Sequence, residues 1–149
     1  MRLTLKRFVV QPDQILTLFK HAPKKTTVAF EMCDLEDGGR VLADCVRDNQ
    51  NPAALSLRWT SFDNHSFHIF CDAIRVNTSL RTLHLVHCCK NSVQINTLTA
   101  ALADNHGLRD LRLVSGGLTD EHAFTGLCRA VGRHATLEVL KMRSCVAPW

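Results

Sequence analysis

The chain has no tyrosine, and aromatic residues make up only 6% of it. Proteins that hold single-stranded nucleic acid stack bases on aromatic side chains set among cations, so that kind of platform is poorly supplied here. Long apolar runs are also missing. None approaches the roughly 18 residues of a membrane-spanning helix, and Met1-Arg2-Leu3-Thr4-Leu5-Lys6-Arg7 lacks the basic-then-apolar order of a secretory leader. Seven cysteines, an odd number without a leader, speak for reduced thiols rather than a disulfide framework. These absences predict a cytoplasmic protein with no membrane association, in which the sequons Asn64-His65-Ser66 and Asn77-Thr78-Ser79 are incidental. Charge is not in excess either: 21% charged residues, a net charge of +4 and 46% hydrophobic residues fit one globular domain over residues 1–149 and exclude a disordered chain.

What the chain does have is a period. Leu80-Arg81-Thr82-Leu83-His84-Leu85, followed by Cys88, returns in outline at Leu108, Leu111, Leu113 and Gly116, and again at Leu137, Leu140, Met142 and Cys145. Taking the second apolar residue of each motif as origin gives Leu5, Phe30, Leu57, Leu85, Leu113 and Met142, spaced by 25, 27, 28, 28 and 29 residues. Two positions before each stands another apolar residue: Leu3, Val28, Leu55, Leu83, Leu111 and Leu140. Alternation of this kind puts both side chains on one face of a short strand, so six parallel strands are predicted.

Between the strands, residues 18, 15, 14 and 11 positions before each origin follow the spacing of a helix face. The sets are Pro12, Ile15, Leu16, Phe19; Gly39, Leu42, Ala43, Val46; Phe67, Phe70, Cys71, Ile74; Ile95, Leu98, Thr99, Leu102; and Phe124, Leu127, Cys128, Val131. Asp63, Asn91 or Ser92, and Thr119 are the expected N-caps. Asn49, Asn77, Asn105 and His134 share one column, where asparagine is expected to end helices in a left-handed conformation.

The pattern Leu-x-x-Leu-x-Leu-x-x-Cys with a following helix, as at Leu80 to Cys88, resembles the ribonuclease-inhibitor class of leucine-rich repeats. The resemblance covers residues 26 to 145 and departs from the family at Thr60, Lys90 and Gly116. It implies an α/β solenoid of about five repeats, strands on a concave face and helices on the convex one. It further implies protein recognition of the kind found in ribonuclease inhibitors, ubiquitin-ligase adaptors and cytosolic immune receptors.

Six of the seven thiols occupy columns where a repeat needs a small buried group, leaving Cys89 as the one candidate for a reactive surface cysteine. His84, His87, Cys88 and Cys89 bring zinc-type ligands close together but lack a second pair at standard spacing, so no metal is expected. Gly116-Gly117 lacks the lysine and further glycines of a phosphate loop and is read as a turn. No acid, base and nucleophile converge, and neither an enzyme nor a cofactor is expected.

Strand residues that alternate with the leucines face the other way: Ser56 and Arg58, His84 and Val86, Arg112 and Val114, Lys141 and Arg143. Arg58, His84, Arg112, Lys141 and Arg143 are therefore expected to form a continuous positive stripe. Trp59 beside it is either an exposed anchor or packed under the neighbouring loop. The expected function is a protein-protein interaction module for an acidic partner, with nucleic-acid binding through the same stripe as the alternative. Apolar residues reach almost to both ends of the sequence, so a segment of a longer array, or self-association through uncapped ends, is also expected.

Overall fold

The alternation of apolar residues passes directly into the sheet. In the computed structural model, which describes residues 1–35, 37, 39–49 and 52–144, the elements in chain order are β1 (Arg2–Lys6), β2 (Val9–Val10), α1 (Pro12–His21), β3 (Thr27–Glu31), β4 (Asp34–Leu35), α2 (Arg40–Arg47), β5 (Ala54–Arg58), α3 (Asn64–Val76), β6 (Thr82–Val86), α4 (Ser92–Asp104), β7 (Asp110–Ser115), a 3₁₀ turn at Gly116–Thr119, α5 (Glu121–Gly132) and β8 (Val139–Ser144). The fold is α/β, with a six-stranded parallel sheet in the order β1-β3-β5-β6-β7-β8, while β2 and β4 form a separate parallel pair. Among the described residues no helix is long and apolar enough to cross a membrane.

The expected register is the observed one. Leu3, Val28, Leu55, Leu83, Leu111 and Leu140 pair in one cross-strand row, and Leu5, Phe30, Leu57, Leu85, Leu113 and Met142 in the next but one. From β3 to β7 these side chains are fully buried, whereas Leu140 on the edge strand β8 is 37% exposed. The helices pack in chain order, α1 on α2 through to α4 on α5. Phe67, Phe70, Cys71 and Ile74 of α3 are buried, as are Ile95, Leu98 and Leu102 of α4. The outer helices depart from the expected columns: Leu16 of α1, and Phe124 and Cys128 of α5, are exposed. Each of those helices has a neighbour on one side only among the described residues, so half of its apolar face meets no partner.

Caps and turns supply most of the other departures. Gly39 does not lie on a helix face; it is the left-handed N-cap of α2, with φ 89°, and a Cβ there would stand 2.6 Å from Phe62 Cε1. Asp63 and Asn91 cap as expected, accepting from Ser66 N and Gln94 N, but α5 is capped by Asp120 rather than Thr119. Within the asparagine column only Asn49 is left-handed; Asn77 and Asn105 are extended and act through their side chains. Asn77 donates to Val46 O and accepts from Ser79 N and Leu80 N, which buries the residue of the second sequon.

The exit from each early strand follows one recipe. Arg7, Met32, Trp59 and His87 all have positive φ, between 49° and 59°, and their N–H groups donate to the carbonyls of Glu31, Arg58, Val86 and Val114 on the next strand. The following residue then reaches back: Cys33 Sγ to Leu5 O at 3.3 Å, Thr60 Oγ1 to Phe30 O at 3.4 Å, and Cys88 Sγ to Leu57 O at 3.2 Å. Thr60 thus makes the bond that cysteine makes elsewhere. At β7 the strand runs one residue further and Ser115 Oγ donates to Cys89 O at 2.7 Å. Gly117 is required there because a Cβ would stand 2.7 Å from Asn91 O. Cys145 lies outside the described residues.

Candidate partner-binding groove

Pairing in register forces the side chains on the other face of the sheet into rows as regular as the core. One row runs Thr4, Ala29, Ser56, His84, Arg112 and Lys141; the next runs Lys6, Glu31, Arg58, Val86, Val114 and Arg143. A groove of about 460 Å³ crosses this face, lined by Arg58, His84, Arg112, Lys141 and Arg143, with Val86 and Val114 between them and Arg2 joining from β1. All five expected stripe residues therefore line one groove.

The stripe is not uniformly positive. Glu31 pairs with Lys6 at 3.4 Å, and Asp110, at the start of β7, lies 3.4 Å from the Arg112 guanidinium and 3.9 Å from His84 Nε2. His84 is also disfavoured as a cation. Burial lowers its pKa below the ordinary 6.5 and Arg112 beside it lowers it further; Asp110 opposes them in part, and Arg2 and Arg58 add to the depression. The positive charge resides instead on Arg2, Arg58, Lys141 and Arg143, which form no ion pair among the described residues, and on Arg112, which shares Asp110. Among the described residues the buried Nε atoms of Arg58 and Arg112 have no hydrogen-bond partner, and at 3.9 Å His84 Nε2 and Asp110 Oδ1 are too far apart to satisfy one another. Arg2, Lys6, Glu31 and Asp110 were missed in the sequence, although the same alternation, carried back to the first two strands and one step earlier on β7, points to each.

Trp59 is partly packed and partly exposed. It does not line the groove; its ring stacks on His87 with centroids 4.9 Å apart, Arg58 Cζ lies 5.9 Å from its centroid, and 45% of the residue remains exposed.

No family model matches the chain, and no curated protein matches it. In three dimensions it is similar to a solved structure described as Leiomodin-1 Actin-Binding Site 2 (ABS2), with a TM-score of 0.70 and 15% identity over 90% of this chain and 80% of that one. A likeness at this level of identity establishes a shared fold.

The cysteines beside the groove do not take part in it. Cys88 is fully buried and donates to Leu57 O and Val86 O; burial pushes its thiol up to about 11. Cys89, expected on the surface, is 2% exposed, and burial raises its pKa well above that of a free thiol. It was misjudged because it sits in a loop where no period marks burial. Cys128 is the exposed thiol among the described cysteines. We therefore expect a soluble alkylating reagent to modify Cys128 before Cys45, Cys71, Cys88 or Cys89, by at least about tenfold in rate, since only an accessible thiolate reacts. Mass spectrometry of a partial digest checks this, and labelling of Cys89 ahead of Cys128 would contradict the packing of the β6–α4 loop.

Proposed function

We propose that the chain is a leucine-rich repeat solenoid similar to the ribonuclease-inhibitor class, and that it serves as a protein-protein interaction module. Its partner is an acidic protein held on the open face of the sheet. The observation that carries this reading is the row in which Arg112 stands directly beside Lys141, with Arg143 and Arg58 on the neighbouring row making no ion pair among the described residues. Adjacent strands lie about 4.8 Å apart, so cations in one row repel one another, and an anionic surface offsets that repulsion. The related structure is by its name an actin-binding site; here the partner is assigned by charge alone. Binding is favoured over catalysis because the nearest thiols are buried, which raises their pKa, and among the described residues His84 has no hydrogen-bonded carboxylate. A ubiquitin-ligase adaptor or cytosolic immune receptor would be a narrower case of the same reading, and nucleic acid is the competing ligand.

Capture from a cell extract at low and high salt tests it. Arg112→Glu with Lys141→Glu is expected to abolish capture, because like charges across an interface cost several kcal/mol. Arg47→Glu with Arg75→Glu, on helices where these residues pair with Asp44 and Asp72, should leave capture nearly intact. The reading fails if the helix-side pair is the more damaging. Loss of all capture with rising salt, irrespective of the protein bait's variant, would instead indicate phosphate-driven binding.

A further inference from the structure

Resting on the reading of the open face as a binding surface, we propose that the groove takes an extended acidic peptide with one aliphatic side chain between two carboxylates. The aliphatic group sits on Val86 and Val114, and the carboxylates meet Arg58 and Arg143. These four residues stand in a single cross-strand row. Three strand spacings separate its ends, or about 14 Å. An extended peptide rises about 3.3 Å per residue and turns every second side chain to the same face. Carboxylates at i and i+4 are then about 13 Å apart, with the residue at i+2 midway between them, over the valines. The peptide's charge spacing and the groove's coincide.

Two further features select this occupant. Asp110 lies on the far side of the row containing His84 and Arg112, so an anionic peptide is held away from it and against the Arg58–Arg143 row. A nucleic acid carries charge at every step of its backbone and offers no aliphatic side chain to cover Val86 and Val114. Half-buried valines flanked by cations suit alternation of acid and aliphatic residues instead. Arg58 forms no ion pair among the described residues, and a carboxylate matches the fork of donors that a guanidinium offers.

The test is fluorescence anisotropy on the full chain with fluorescein-labelled peptides carrying glutamate at i and i+4 and leucine at i+2 in a glycine-serine background. Replacing the leucine by serine should weaken binding about tenfold, the loss expected for partial burial of one leucine side chain. Replacing both glutamates by glutamine, or using Arg58→Gln with Arg143→Gln, should weaken it at least as much. A labelled oligothymidine should bind less tightly than the leucine peptide. Equal affinity of the leucine and serine peptides, or tighter binding of oligothymidine, overturns the proposal. Arg112→Glu with Lys141→Glu separates the two levels of failure. If these reversals abolish oligothymidine binding while the peptides tie, the groove binds anions but not this peptide; if they affect no probe, the open face is not the binding surface at all. Unchanged thermal melts of the variants establish that they remain folded.

Discussion

Leu111→Asp should remove the cooperative thermal transition altogether. Leu111 is fully buried on β7, paired with Leu83 on one side and Leu140 on the other. No donor lies in that row to meet a carboxylate, and burying one unpaired costs several kcal/mol even when it takes up a proton. The whole stability of a domain of this size is about 5–15 kcal/mol. Leu111→Ala, which leaves only a cavity, should instead cost about 2–5 kcal/mol and preserve a cooperative melt at lower temperature. Circular dichroism on the pair separates the cases: an aspartate variant melting like its parent would mean that Leu111 does not face the core.

The second large effect is expected at Asn105. Its side chain is buried and makes four hydrogen bonds, donating to Ile74 O at 2.7 Å and Asn77 O at 3.0 Å and accepting from Gly107 N at 3.0 Å and Leu108 N at 2.9 Å. The bonds join α3, the turn after it and the turn before β7, so a single amide ties two successive periods together. Asn105→Ala strands two amides and weakens two carbonyls in a site closed to solvent, for a loss on the order of 3 kcal/mol or more. Asn105→Asp keeps the acceptor, but sets a carboxylate oxygen against the carbonyls of Ile74 and Asn77, and should be worse still. Urea denaturation measures both; a loss below about 1 kcal/mol for alanine would show that water takes over the bonds.

The strands and their register could be read from the sequence because one set of residues enforces both. A parallel ladder that shifted by one residue would turn Leu55, Leu83 and Leu111 away from the core together, so the apolar spacing admits one pairing. The groove residues followed from the same alternation. Less legible were properties that belong to neighbours. Cys128 occupies the column of Cys71, yet α5 has a helix on one side only among the described residues, and no feature of its own sequence reports that. Asn77 and Asn105 looked like left-handed helix ends because asparagine tolerates that backbone, whereas carbonyls one period away made the side-chain amide the better use of the residue. The charge of the groove is lower than the stripe alone implies for a similar reason: Glu31 comes from a strand outside the stripe, Asp110 from one step earlier on β7, and His84 is disfavoured as a cation by burial and by Arg112 beside it.

The carbonyl at the end of each early strand is met by sulfur from Cys33 and Cys88 but by oxygen from Thr60. That position therefore calls for a short side chain carrying one donor, a role that threonine or serine can fill as cysteine does. A hydroxyl is moreover the stronger donor of the two. Sulfur could be removed from these turns one residue at a time while every strand keeps its exit. Oxidation to sulfenic acid would meanwhile fall first on Cys128, the exposed thiol among the described residues, which also offers a handle for attaching probes.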